Sequence, residues 1–250
     1  MITEPVAVII PTLNEEATIG GLCKYLYSNG YDVFVVDDNS KDKTSFNARA
    51  NFATVIQNKE RKGLAKSLWQ GFHYILASNE QQYNWDKPYN YVVTIDAGAS
   101  HNPEQILPML QMAQNYDLVI GSRFLPFSQY DNSNGKWYRP TASKLAAKLC
   151  NLAQHGSKYS DWTSGFRIYR IDLIQALSKF YYTSKMHPIQ IELLGRASSL
   201  GAGIFEYPIS YVAGKTSFNS SVASEAFRVW LEVLNHYSPK PKVTSKVSLW

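Results

Sequence analysis

The sequence predicts an α/β protein: a mostly parallel sheet with helices on both faces. Continuous apolar strand runs, helical segments between them, and polar residues gathered at the strand ends lead to this reading. A strand apolar at every position must be covered on both faces, which parallel sheets flanked by crossover helices provide. In such sheets ligands sit beyond the carboxyl ends of the strands.

The elements follow in order. VAVIIPT (6–12) is a buried-strand run, and Asn14-Glu15-Glu16 after it opens a helix that stops near Asn29-Gly30. DVFVVDD (32–38) and ATVIQN (53–58) are the next strands, followed by a helix over 63–79. YVVTIDA (91–97) and DLVIGSRF (117–124) are strands with the helix PEQILPMLQMAQ between them. Residues 125–138 carry no periodicity and read as a mobile loop. A helix over 139–154, a strand at GFRIYR, a helix PIQIELLGRASSL and a strand GIFEYPISYV complete the body. A last amphipathic helix, near 221–236, carries Phe227, Trp230, Leu231 and Leu234; core packing is preferred there over docking on a partner.

At 250 residues with 45% hydrophobic and 18% charged residues, the chain can bury a sizeable core and is not globally disordered. No repeat or linker divides it, so residues 1–236 read as one domain and 237–250 as a basic tail. Cys23 and Cys150 have no metal-ligand spacing and suit a reducing compartment. The opening MITEPVAVIIPTLNEE lacks the pattern of a signal peptide, and no apolar run reaches the ~18 residues of a membrane span. A cytoplasmic protein is expected, with peripheral contact at the cytoplasmic face of a membrane left open. The net charge of +5 and pI near 9.0 favour anionic partners.

Carboxylates at neighbouring strand ends are costly unless a cation or donor answers them. Asn14, Ser40 and Asn102 are read as caps of helices or turns. Asp38 together with Asp96 needs a shared reason. A nucleotide with its metal supplies one, since one carboxylate can accept from a base N–H while another holds a metal on the diphosphate.

PTLNEE, VVDDNSKDKT, TIDAGASHNPEQ, GSRF and DWTSGFRIYR resemble, in order and spacing, the family-two inverting glycosyltransferases of GT-A fold. Within that family they are most similar to dolichol- or polyprenol-phosphate mannosyl- and glucosyltransferases, over residues 5–220. The resemblance implies a nucleoside diphosphate sugar donor, of GDP-mannose or UDP-glucose type, bound by Pro11, Thr12, Asn14, Glu15, Asp37, Asp38, Asp96, Ala97 and Gly98. Of these, Asp38 matches the position that reads the base, and Asp96 the first acid of an Asp-Ala-Asp metal motif. The second acid is here Gly98, so Mg²⁺ or Mn²⁺ would be held weakly and with help from the donor. Ser100 reads as a turn stabiliser in preference to a hydroxyl donor to the metal site, and His101 as a helix-entry hydrogen bonder in preference to a contact near the metal.

On the acceptor side the resemblance implies that Arg123, Arg139 and Ser143 hold the phosphate of a lipid, with Lys215 a further candidate. Arg139 and Ser143 are four apart on one helix and share a face, and guanidinium forks suit phosphate. Asp161 is the candidate general base for a hydroxyl acceptor, or a positioning group for a phosphate, whose oxygen is already anionic. Arg167 follows at its motif position, and Glu192 and Glu206 are as consistent with structural roles. The leading expectation is hexose transfer to a polyprenol phosphate, catalysed through Asp96, Arg123 and Asp161. A non-lipid acceptor (a glycan, a protein or a hydroxylated base in nucleic acid) is the alternative. A non-catalytic nucleotide-binding relative ranks third.

Overall fold

The computed structural model of the chain describes residues 5–81, 88–134, 138–154 and 157–214, with residues 228, 229 and 231. Side chains at 81 and 139 lie outside that set. Its sheet begins with β1 (Val6–Thr12), which pairs in parallel with β2 (Asp32–Asp37) on one side and β4 (Tyr91–Thr94) on the other. β3 (Thr54–Gln57) lies outside β2, also parallel. Beyond β4 come β7 (Arg167–Arg170), β5 (Leu118–Ser122) and β8 (Ile204–Pro208), giving the order β3-β2-β1-β4-β7-β5-β8. Only β7 runs antiparallel within this sheet, so "mostly parallel" holds.

Alternate residues along each strand feed two cores. Ala7, Ile9, Phe34 and Val36 face one side, with Leu68, Phe72 and Ile75 of α3 (Leu64–Gln81) and residues of α6 (Ile171–Leu177) and α7 (Ile189–Ser199). Val8, Ile10, Val33 and Val35 face the other, against α1 (Ile19–Ser28) and α4 (Ile106–Ala113). Both faces are covered, which is why these strands show no polar alternation. α5 (Arg139–Ala153) turns Ala147, Cys150 and Ala153 inward.

Several expectations needed correction. The first helix starts at Ile19, not at Asn14, because Asn14 has φ 55° and its loop bonds elsewhere. The short α2 (Thr44–Arg49) and α6 were not foreseen. Residues 129–131, expected in a mobile loop, form β6 (Gln129–Asp131), which pairs in parallel with β9 (Ser210–Val212). The predicted final strand therefore splits: β8 stays in the main sheet and β9 leaves for the small one. Of the last predicted helix, Arg228, Val229 and Leu231 are helical and Val229 is buried; Phe227, Trp230, Leu234 and the tail lie outside the described residues.

At Gly63 a left-handed backbone and a close approach coincide. Gly63 has φ +90°, and a Cβ there would stand 2.6 Å from the Lys185 carbonyl oxygen. Gly201 has φ +77° but open space around it. Gly201→Ala should therefore cost only the left-handed penalty of ~1–2 kcal/mol, and Gly63→Ala at least ~1 kcal/mol more for the clash. Urea unfolding with unchanged m values measures both; equal costs would show that the 62–63 turn yields freely.

Candidate active site

The site starts where two strands part. β1 pairs with β4 only from Val6↔Tyr91 to Ile9↔Thr94, closed by a bond from the Ile95 N–H to the Ile9 carbonyl. β1 continues alongside β2 to Thr12↔Asp37. Past Ile9 a crevice opens between the chain leaving β1 and the chain leaving β4, at the point where strand order reverses. Pro11 stands beyond the last β4 pairing, where its missing N–H costs no bond to β4.

The loops after β1 and β2 are stitched together. Ser40 donates to Asp37 through its N–H (2.8 Å) and its hydroxyl, and Ser45 donates to the other Asp37 oxygen. The Asn14 N–H donates to Ser40 Oγ (2.9 Å), and Asn14 Oδ1 accepts from the Lys41 N–H (2.9 Å). The Glu15 N–H donates to Thr44 Oγ1 (2.8 Å), and Glu16 Oε2 accepts from the Lys43 N–H (2.9 Å). Asn14 and Ser40 thus bridge two loops, whereas Asn102 does cap a turn, at Glu104 N–H of the 3₁₀ segment Pro103–Gln105. Buried Asp37 serves the protein's own loop.

Asp38 is likewise engaged. Its oxygens accept from Asn58 Nδ2 (3.1 Å), the Lys62 N–H (2.7 Å) and the Gly63 N–H (2.8 Å). It holds Asn58 and Lys62, which with Gln57, Lys59, Glu60 and Gln70 line a hollow of about 590 Å³ at the end of β3. Sequence reasoning missed these residues, because the polar run after β3 looks like any solvated loop.

The opposite wall carries Asp96, whose side chain is 51% exposed, beside buried Ala97. His101 Nε2 lies 3.3 Å from Asp96 Oδ2, and its ring packs between Phe166 and Tyr211. The expectation of a helix-entry role for His101 fails, since Asn102 does that work and His101 faces the carboxylate. Desolvation pushes Asp96 up, but the His101 hydrogen bond, with charge from His101, His187 and Arg123, outweighs it and holds the group below the usual range. Glu15 goes the other way: burial raises it, the Thr18 hydroxyl pulls it back, and Asp96 and Asp42 push it up again. Ser100 ties the wall to β9, its carbonyl accepting from the Val212 N–H (2.9 Å). Among the described residues no three His, Cys, Asp or Glu side chains gather tightly enough to hold a metal alone. The donor set is hard carboxylate oxygen, which suits Mg²⁺ or Mn²⁺ completed by phosphate oxygens.

On the same side of the crevice, beyond Asp96, Arg123 forms a fork with Asp161, Nε to Oδ2 and Nη2 to Oδ1, both at 2.7 Å. Asp161 also accepts from the backbone N–H groups of Arg123, Thr163 and Ser164. Burial alone would raise Asp161, yet the Arg123 charge and these donors hold it low. Arg123 is in turn held charged by Asp161 against desolvation, and it lies over the Phe124 and Tyr211 rings. A general base needs an oxygen open to the acceptor. Asp161 is fully buried with both oxygens taken, which is a positioning arrangement. Glu206 supports it by accepting from the Ser160 and Asp161 N–H groups. Glu192 accepts from the Thr183 and Ser184 N–H groups, and Arg167 donates to the Trp162 and Gln190 carbonyls, so both are structural. Arg139 and Ser143 lie on α5 with the expected spacing, Ser143 half-buried; the Arg139 side chain and all of Lys215 lie outside the described residues.

A crevice at the strand-order reversal, walled by two stitched loops and an exposed Asp96, is where an open α/β sheet takes its ligand, as in the GT-A glycosyltransferases. The comparisons agree: residues 7–178 match the model for Glycosyl transferase family 2, and the chain belongs to that family. It is 32% identical over 236 residues to the undecaprenyl-phosphate mannosyltransferase of Micrococcus luteus, covering 88% of this chain and 90% of that protein. It is 28% identical over 218 residues to the polyprenol monophosphomannose synthase of Mycolicibacterium smegmatis, covering 84% and 78%. Glucosyl-3-phosphoglycerate synthase from Mycobacterium tuberculosis, solved with Mn²⁺ and UDP-glucose, shares the fold at TM-score 0.68 and 20% identity, over 96% of this chain and 81% of that one.

Breaking the Arg123–Asp161 pair would leave a buried guanidinium unanswered. Asp161→Asn should lose ~3–5 kcal/mol of stability. Because Asp161 is held low, its contribution is present above the unfolded carboxylate value of ~3.9 and is lost as pH falls through the lower folded value. Denaturant titrations at neutral pH and at pH ~3 measure this. An Asp161→Asn protein as stable as the parent but inactive would instead make Asp161 a proton acceptor.

Proposed function

We propose that the chain is an inverting transferase moving a hexose from a nucleoside diphosphate sugar to a polyprenyl phosphate. The observation that supports the lipid acceptor is the outer face of α5. Leu145, Leu149 and Leu152 repeat at i, i+4, i+7 and are 56%, 37% and 73% exposed, with exposed Lys144 and Lys148 beside them. An exposed apolar stripe flanked by lysines suits the interface of an anionic bilayer. It is carried by the helix that begins with Arg139 and Ser143, so phosphate capture and membrane contact would share one element. Among the described residues no helix is long and apolar enough to cross a membrane. Relatives named for undecaprenyl-phosphate and polyprenol substrates support the same acceptor class.

In this reading the hollow at the end of β3 takes the nucleoside, with Asn58, Lys62 and Gln70 on its walls. Pro11, Thr12, Ala97 and the backbone at Gly98 line the diphosphate path, and the buried, unpartnered Thr12 hydroxyl stands at the end of β1. A divalent cation at Asp96 would neutralise charge on the leaving diphosphate. A phosphate oxygen of the acceptor attacks the anomeric carbon as the bond to the diphosphate breaks on the opposite face. That oxygen is already anionic, which agrees with an Asp161 closed to proton transfer. Arg123, paired with Asp161 and within electrostatic reach of Asp96, would stand on the acceptor side of the site. Orientation and charge neutralisation carry the rate.

Labelled-sugar transfer from GDP-mannose and UDP-glucose tests this, with undecaprenyl phosphate in anionic vesicles set against soluble glycan, protein and nucleic-acid acceptors. Product on the lipid alone is expected; transfer only to a soluble acceptor would replace the reading. Asp96→Asn should lower transfer ~100-fold with the fold intact. Leu145→Glu with Leu152→Glu should remove vesicle co-sedimentation while leaving nucleotide affinity unchanged, and undiminished sedimentation would clear α5 of the membrane role.

A further inference from the structure

Position 98 is open in an unusual way. A Cβ built on Gly98 would stand 3.5 Å from Glu15 Oε1 and 3.7 Å from Oε2. Gly98 is absent from the positive-φ residues, so no backbone demand explains the glycine. The space a side chain at 98 would enter is instead faced by a carboxylate carried in by the loop after β1. That loop is rigidly placed, since the Glu15 N–H is held by Thr44 and its carbonyl takes the Thr18 and Ile19 N–H groups.

The two carboxylates at the crevice mouth are also the poorly answered ones. Asp37, Asp38, Asp161 and Glu206 each accept from several donors of the chain itself. Among the described residues Glu15 accepts a long 3.3 Å bond from Thr18 on Oε2, and Asp96 the His101 contact on Oδ2, and neither has another donor. A further polar group borders the same glycine as Asp96. Gln190 is 5% exposed, and among the described residues its Oε1 has no partner. Its Nε2 lies 3.6 Å from the Cβ position of Gly165, itself 3.1 Å from Asp96 Oδ1. Neighbouring carboxylates with unused oxygens repel each other, and a shared cation is one way to relieve that repulsion.

We infer that Glu15 supplies the second carboxylate that Gly98 lacks, so that a divalent cation is shared between Asp96, Glu15 and the donor diphosphate. This rests on the nucleotide-sugar reading above. Two carboxylates with phosphate and water oxygens complete an octahedral Mg²⁺ or Mn²⁺ site, and metal and nucleotide must then strengthen each other's binding by one common factor.

The test is Mn²⁺ binding followed by the electron paramagnetic resonance of free Mn²⁺, with GDP, with UDP and with neither. Parent, E15Q, G98D and the E15Q/G98D double variant are compared, with thermal melting as the check on folding. The parent should bind Mn²⁺ well only with nucleotide. E15Q should weaken that binding ~10-fold or more, the scale of losing a group that tunes a metal site. G98D should restore it in the E15Q background. Unchanged Mn²⁺ affinity in E15Q overturns the inference, as does failure of G98D to restore it in a folded double variant. A loss of nucleotide affinity in E15Q that is equally large with chelator present also overturns it, making Glu15 a nucleotide contact. A parent protein that binds neither nucleotide overturns the donor reading instead, and the two failures are distinguishable.

Discussion

The parting of β1 from β4 after Ile9 is the constraint on which the rest of the structure depends. It leaves two strand ends side by side with no ladder between them, and every polar group there must find another partner. The chain answers most of them itself. Asp37 draws in Ser40 and Ser45, Asp38 draws in the 62–63 turn, and Asp161 draws in Arg123. These carboxylates are spent on architecture. Among the described residues, Asp96 and Glu15 are the carboxylates left under-answered at the crevice, beside the unpartnered Thr12 hydroxyl, and that set marks where a ligand belongs.

The same accounting shapes the chemistry. A buried ion pair is costly to assemble and costlier to break, so its use is to fix geometry rather than to add stability. Arg123 and Asp161 hold the end of β5 against the 160–164 turn, with Glu206 of β8 bracing the turn from behind. A site built this way fixes the Arg123 guanidinium in place and offers no free base, which fits an acceptor that arrives already ionised.

Much of the fold was legible because its strands are buried on both faces. Residues 6–12, 32–38 and 53–58 were read as strands nearly to the residue. The small sheet was not: β6 and β9 are three-residue strands whose partners lie far apart in sequence, and so short a strand has no period to detect. α2 escaped because TSFNAR has no apolar repeat, its order coming from Asp42 in the loop, which accepts from the Thr44 N–H that opens the helix. Within the site, the motifs located the right loops but could not say which carboxylate each loop consumes. Asp37 and Asp38 are adjacent, yet one closes its own loop and the other holds the turn at Gly63. His101 was misassigned for the same reason: Asn102 next to it has the better capping geometry, and only the tertiary packing of Phe166 and Tyr211 turns the imidazole to Asp96.

The central claim is that the crevice between the ends of β1 and β4 binds a metal–diphosphate. The most direct measurement is a crystal grown with Mn²⁺ and a nucleoside diphosphate, with anomalous scattering recorded at the manganese edge. The account predicts one strong peak between Asp96 and the Glu15 loop, touching the diphosphate. Diphosphate bound in that crevice with no metal peak beside Asp96, or a peak and nucleotide elsewhere on the protein, would contradict it.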